Sequence, residues 1–263
     1  MIKKSNIKYY SQNGEDYLVW NLFDYKEKGF YVEVGAFDGM HFSNTFSFEQ
    51  AGWAGICIEP HPTFFPFCQK NRPDSTCINA ACVGDESLKE VSFNAEEIGL
   101  LSGISADEDD VDYRYSARKL DFKGFNKVTV PAMTLTNILD NHAPGTAIDF
   151  MTIDVEGTEL DVLKGLDFTR YAPEVLIVED NKETPNQPLF DYLEGEKGYT
   201  FARKIGANVI FTNSESAVKK IKAVNVSNCI LTETNHPMGK KFTIKPHHRL
   251  KSKIYNRIRN IFK

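Results

Sequence analysis

Short apolar runs rich in β-branched residues alternate with stretches of helical periodicity along the first 213 residues, and this alternation confines the fold to an α/β sheet built from βαβ units. Strands are predicted at residues 30–34, 55–58, 76–79, 91–93, 128–130, 147–153 and 174–178, followed by a closing hairpin of 199–204 and 208–212. Helices are predicted at 44–50, 64–70, 135–141, 159–164 and near 189–196. Thr134 is a suitable N-cap for the third helix, and Gly165 suits the end of the fourth. The expected architecture is a mostly parallel, doubly wound sheet ending in an antiparallel strand pair.

The chain divides into an N-terminal cap segment (1–29), a main domain (30–213) and a C-terminal extension (214–263). A long polar insert around residues 96–118 interrupts the main domain, and inserts of that length in a compact domain are usually functional lids or mobile excursions. Apolar residues make up 41% of the 263 and charged residues 25%, enough to build a core and too apolar for disorder. The five cysteines, Cys57, Cys68, Cys77, Cys82 and Cys229, are odd in number and lack CxxC spacing. Neither a disulfide framework nor a zinc site is expected, and reduced thiols fit a cytoplasmic protein. No apolar leader opens the chain, and no run approaches the roughly 20 apolar residues that span a bilayer.

Charge is uneven. Residues 238–263 carry +9 and no acid, leaving −14 on the remainder of a chain whose net charge is −5. Within the tail, Leu250, Ile254, Ile258 and Ile261 fall at helical spacing with Lys and Arg opposite. Such a helix suits peripheral contact with an anionic membrane at its inner, cytoplasmic face. It suits equally well docking on the acidic body or a solvated end. The acidic body repels phosphate, and no Asn-Pro-Pro-aromatic motif is present, so nucleic acid is not expected as a partner.

The residues that carry chemistry sit at predicted strand ends, where open α/β sheets bind ligands. Glu33-Val-Gly35-Ala-Phe-Asp38-Gly39 leads out of the first strand. Its GxxxG spacing lacks the pyrophosphate cradle of GxGxxG, which argues against a nicotinamide cofactor. An acid two residues before the first glycine suits a cationic or amine-bearing ligand such as S-adenosylmethionine. Glu59 ends the second strand about 20 residues on, where a carboxylate can accept both ribose hydroxyls of an adenosine. Asp154, Glu156 and Glu159 crowd the end of the strand at 147–153, which is costly unless something positive lies near. Glu159 also reads as a helix-dipole complement. Asp180 and Asn181 follow the next strand. With Asp154 they offer oxygen ligands suited to Mg²⁺, and they read equally as loop residues.

These segments resemble the FkbM methyltransferase family. The matching residues are Tyr10-Ser-Gln-Asn-Gly-Glu-Asp16, Phe30-Tyr-Val-Glu-Val-Gly-Ala-Phe-Asp-Gly39, Ser43-Asn-Thr45, Gly55-Ile-Cys-Ile-Glu-Pro60 and Ile153-Asp-Val-Glu-Gly-Thr-Glu-Leu-Asp-Val-Leu-Lys-Gly165. The resemblance implies a class I, Rossmann-like methyltransferase fold and O-methylation, often of a sugar hydroxyl. By position it implies cofactor contacts at Gly35, Asp38, Asn44 and Glu59, to which the loop reading adds Glu33 and Gly39. Asp154 and Glu156 face the methyl group, and Gln12 or Glu15 lies in a cap over the site. The Asp154, Asp180, Asn181 set also resembles the metal site of catechol-type O-methyltransferases. The departures from the family are the insert and the basic tail, both of which bear on acceptor identity.

The expected reaction is attack of a hydroxyl on the S-methyl carbon, with Asp154 or Glu156 as general base and His41 as the alternative. The acceptor is expected to be a saccharide. A small natural-product metabolite and a non-catalytic binding module are the competing readings.

Overall fold

The computed structural model describes residues 3–117, 119–182 and 184–239. The basic amphipathic tail predicted over 249–263 lies outside them. Ten strands are β1 (Phe30–Val34), β2 (Ala54–Ile58), β3 (Thr76–Ile78), β4 (Ala81–Cys82), β5 (Glu90–Ala95), β6 (Asn126–Met133), β7 (Phe150–Ile153), β8 (Val175–Glu179), β9 (Thr200–Ile205) and β10 (Asn208–Thr212). Eight helices are α1 (Glu15–Leu22), α2 (Phe46–Glu49), α3 (Phe65–Asn71), α4 (Glu108–Ser116), α5 (Leu135–His142), α6 (Glu159–Lys164), α7 (Gln187–Phe190) and α8 (Glu215–Ala223).

Seven strands form one sheet in the order β3-β2-β1-β7-β8-β10-β9. β1 pairs in parallel with both β2 and β7, which puts the switch of winding direction between them. The closing hairpin is present, and its second strand, β10, inserts antiparallel between β8 and β9. Strand alternation divides the core in two. Val32, Val34, Ile56, Ile58, Met151 and Ile153 pack against α5, α6 and α7 on one face. Tyr31, Cys57, Phe150, Ile177 and Ile210 pack against α1 and α8 on the other.

The flanking segments therefore complete the second face. Trp20 of α1 is fully buried, and its ring stacks on Phe48 with centroids 4.3 Å apart and planes 3° apart. Its indole N–H donates to Ser47 Oγ at 3.0 Å, so the polar edge is satisfied as well. The insert is folded too. β5 and β6 pair antiparallel, β4 joins β6, and α4 is N-capped by Asp107, whose carboxylate accepts from Asp110 N at 2.9 Å. Ile98, Val111 and Tyr115 form a small core of their own beneath it.

Several boundaries differ from the sequence reading for local reasons. The predicted helix at 44–50 starts at Phe46 because Ser43 Oγ accepts from the amides of Thr45 and Phe46 and holds a turn. The strand predicted at 147–153 begins at Phe150, since the Asp149 carboxylate caps Phe30 N. The helix near 189–196 is α7 running into a π-helical turn, Asp191–Glu196. Thr134 and Gly165 do cap α5 and α6.

Truncating Trp20 removes the largest side chain joining α1 to the sheet. Trp20→Ala is expected to lower unfolding free energy by about 3–5 kcal/mol. Urea denaturation checks this, and a loss below about 1 kcal/mol shows α1 to be an appendage.

Candidate active site

One cavity opens across the C-terminal ends of β2, β1, β7 and β8, where the switch of winding direction predicts a ligand site. Its floor runs from Glu59 through Gly35 and Asn44 to Asp154 and Glu179. The insert roofs it with Ile98, Leu101 and Tyr115, and Gln12 and Asn208 close one end.

The first loop is held by a buried arginine that the sequence reading did not single out. Arg72, 1% exposed, donates from Nε to Glu49 at 2.7 Å and from NH1 to Glu33 at 3.1 Å. It also bonds the Gly39 carbonyl, Ser43 Oγ, Thr45 Oγ1 and Tyr31 OH. Ser43 and Thr45 hydroxyls donate to Glu33 in turn. The Glu33 carboxylate is thus bonded into the loop's scaffold, on the face that alternation assigns it with Tyr31, while the residue also lines the cavity. Burial pushes its pKa up to about 7 against the pull of Arg72.

Asp38 and Gly39, predicted as cofactor contacts, are not among the residues that line the cavity. Asp38 Oδ1 accepts from Met40 N at 2.9 Å and His41 N at 2.6 Å, closing a turn. Gly39, at φ 79°, lies against Arg72, where an added Cβ meets Cγ at 2.6 Å. Gly35 does reach the cavity. Its φ is 83°, and a Cβ there stands 1.8 Å from the Asp154 carbonyl oxygen, so the loops after β1 and β7 cross at this residue. Asn44 also lines the cavity, its amide anchored on Thr152 Oγ1 at 2.9 Å.

Glu59 is buried with its two oxygens accepting from Phe37 N at 2.6 Å and His61 N at 2.7 Å. Each oxygen keeps a lone pair for a ligand. Burial raises its pKa to about 8, the two amide bonds opposing the shift. His41 lines the cavity with Nδ1 at 2.6 Å from Thr234 Oγ1. Burial, with His236 nearby, holds it down to about 4, so it is neutral at pH 7.

At the β7 and β8 ends, Asp154, Glu156 and Glu179 bring carboxylate oxygens within 4.8 Å of one another. The positive group that crowding demands is Arg114 of α4, which bonds Glu156 at 3.1 Å. Burial is the first cause raising the Glu156 carboxyl, to about 8, and the Glu179 carboxyl, whereas Asp154 is exposed at the cavity mouth. Glu156 holds φ 57°, a left-handed backbone that costs a non-glycine residue about 1–3 kcal/mol and collects at functional sites. Glu159 accepts from Gly157 N at 2.8 Å and braces this turn.

The Asp154, Asp180, Asn181 metal set is not assembled. β8 ends at Glu179, one residue later than predicted, so alternation aims Glu179 at Asp154. Asp180 turns to the amides of Lys182 and Asn186, and the Asn181 amide donates to Glu179. These residues do not fit a magnesium site. Among the described residues, four buried side-chain polar atoms lack a partner, and three of them line the cavity: His41 Nε2, Thr158 Oγ1 and Asn208 Oδ1. Unsatisfied buried groups concentrated in one cavity mark a ligand site. No helix among the described residues is long and apolar enough to cross a membrane.

A family model described as "Methyltransferase FkbM domain" matches residues 33–201. No curated protein matches the chain. Solved structures with a similar arrangement include a precorrin-6y C5,15-methyltransferase from Geobacter metallireducens, 10% identical, with 80% of this chain and 95% of that one covered and a TM-score of 0.40. An O-methyltransferase from Bacillus cereus in complex with SAH is 10% identical over 80% of this chain and 81% of that one, with a TM-score of 0.40. Fibrillarin from Aeropyrum pernix with bound S-adenosyl-L-methionine is 9% identical over 71% and 66%, with a TM-score of 0.39.

Removing the guanidinium strands two buried carboxylates. Arg72→Met is expected to cost about 3–5 kcal/mol, measured by thermal or urea unfolding. Wild-type stability in that variant contradicts the hub.

Proposed function

The chain belongs to the FkbM methyltransferase family, and from that premise we propose that it transfers the methyl group of S-adenosylmethionine to a hydroxyl oxygen of a saccharide. The observation that carries this reading is the run of carboxylates along one cavity, Glu59 at β2, Asp154 and Glu156 after β7 and Glu179 at β8. A carboxylate with two free lone pairs suits the paired hydroxyls of a ribose. A group of acids that outnumbers the cations beside it, Arg114 and Lys204, suits a cationic sulfur. Gly35 lets the loops after β1 and β7 meet beneath the cavity, since a Cβ there would stand 1.8 Å from the Asp154 carbonyl oxygen.

When bound, S-adenosylmethionine supplies a methyl group on a positively charged sulfur, activated for displacement. The protein's own contribution is alignment and proton removal. Asp154 and Glu156 lie on the turn facing the cavity, and either carboxylate can take the hydroxyl proton as the oxygen attacks. A base whose pKa lies near the working pH is the efficient choice, and Glu156 at about 8 meets that condition. His41 stays neutral throughout the working range and is the weaker base.

Transfer of labelled methyl from S-adenosylmethionine to neutral saccharides tests the reading. Asp154→Asn and Glu156→Gln are expected to retain S-adenosylhomocysteine binding while at least one of them loses roughly 10²–10⁴-fold in turnover. Full turnover in both excludes these acids as the base.

Cofactor affinity should also depend on pH. In the free protein Glu59 and Glu156 have pKa values raised to about 8, so below that pH they are largely protonated. A cation favours their charged forms and lowers those pKa values, so binding releases protons and S-adenosylmethionine affinity rises between about pH 6 and about pH 7.5. Calorimetry in buffers of different ionisation enthalpy measures the release. S-adenosylhomocysteine, with its neutral sulfur, is expected to show a shallower rise, and affinity that falls with pH contradicts the assignment.

A further inference from the structure

The cavity continues past the reacting acids to a wall that the cofactor reading leaves unused. Asn208, the first residue of β10, faces Glu179 of β8 in the strand register. It is 6% exposed, and its Oδ1 has no hydrogen-bond partner although the residue lines the cavity. The orientation of its amide is determined by chemistry. Nδ2 donates to Glu15 Oε1 at 2.9 Å, and a carboxylate can face only the nitrogen of an amide. Glu15 is itself fixed, accepting from Asn13 N at 2.9 Å and Asn13 Nδ2 at 3.1 Å. Oδ1 is thereby presented as an acceptor and lacks a donor.

Strand spacing places this atom relative to the cofactor. A ribose at Glu59 lies at the end of β2, and β10 is four strands away, about 19 Å at about 4.8 Å per strand. The transferable methyl is only three covalent bonds from the ribose ring, so it lies well short of β10. In-line attack requires the nucleophile to come from the side opposite the departing sulfur. The acceptor therefore needs cavity wall beyond the methyl, and Asn208 lies beyond Asp154 from Glu59 in the strand order.

Resting on the cofactor reading above, we propose that the Asn208 and Gln12 end of the cavity is the acceptor subsite, and that it selects a polyol bearing no anionic group. Asn208 Oδ1 accepts a hydrogen bond from an acceptor hydroxyl or ammonium and sets its position. Among the described residues, the neighbouring acids at this end are Glu15, Asp154, Glu156 and Glu179, against the cations Arg114 and Lys204. Above about pH 8, where Glu156 is ionised, neutral and amine-bearing sugars fit that field, whereas sugar phosphates and uronic acids are repelled.

Saturation-transfer NMR at about pH 8.5, above the Glu156 pKa, on the full chain loaded with S-adenosylhomocysteine tests the subsite with methyl glucoside, glucosamine, glucose 6-phosphate and glucuronate as probes. Methyl glucoside and glucosamine are expected to bind, and both anionic sugars to bind at least about tenfold more weakly. Asn208→Leu and Asn208→Ser are each expected to lose about tenfold in affinity for the neutral sugar, the effect of one unmade buried hydrogen bond. Their S-adenosylhomocysteine affinity should stay within about twofold of the parent's, which also reports that they are folded. Anionic sugars binding as well as neutral ones, no neutral or amino sugar binding at all, or unchanged neutral-sugar affinity in both variants overturns the subsite while leaving the cofactor reading intact. Absence of S-adenosylhomocysteine binding to the unaltered chain overturns the cofactor reading and this inference together.

Discussion

A buried guanidinium supports the whole first loop of this protein. Arg72, at the C-terminal end of α3, reaches under the loop after β1 and joins Glu33, Glu49, Tyr31, Ser43, Thr45 and the Gly39 carbonyl. Buried charge is tolerated only with this degree of pairing, because removing either partner exposes the other to the full desolvation cost. The loop's path follows from these bonds. It carries Gly35 into contact with the Asp154 backbone and brings Phe37 N onto Glu59. The ends of β1, β2 and β7 are thus linked through one short segment, and the cavity floor inherits its rigidity.

On that floor the charges are deliberately unequal. Glu59, Asp154, Glu156 and Glu179 face the cavity, and Arg114 is the cation bonded to the acid group after β7. Enclosure raises the pKa values of Glu59, Glu156 and Glu179, so the free protein holds protons there that a positively charged ligand displaces. The acids, the strained turn at Glu156 and the unpartnered atoms all sit in one cavity, and each is costly to a stable fold without a ligand. Their coincidence is the physical ground for treating the cavity as the place where the protein works.

Much of this was legible in the sequence because the strands end in acids. The apolar runs before Glu59 and Asp154 are long enough to be read as buried strands, and an acid directly after such a run has few roles other than contact with a ligand. Gly35 was legible for the same reason, as the first residue past a strand. Arg72 was not, since Lys70-Asn71-Arg72-Pro73 reads as a solvated helix end and its partners lie 23 to 41 residues away in sequence. The scaffold bonds of Glu33 were not legible, because only strand alternation, with Tyr31 beside it, tells which face its side chain takes. The Asp180 assignment failed through a one-residue shift in β8, enough to exchange Glu179 for Asp180 at the cavity. α4 escaped notice because its apolar residues are few, and α1 and α8 because theirs pack on partners distant in the chain. Asn208 gives no signal at all, as its role depends on Glu15, 193 residues away.

The central claim is that this cavity recognises an adenosyl group attached to a positively charged sulfur. Isothermal titration calorimetry of the full-length chain with S-adenosylmethionine, beside a parallel titration with NAD, addresses it most directly. The account predicts one saturable site for the sulfonium compound, abolished or strongly weakened by Glu59→Ala, and no heat of binding for the dinucleotide. A folded protein that takes up NAD, or that shows no affinity for S-adenosylmethionine, contradicts it.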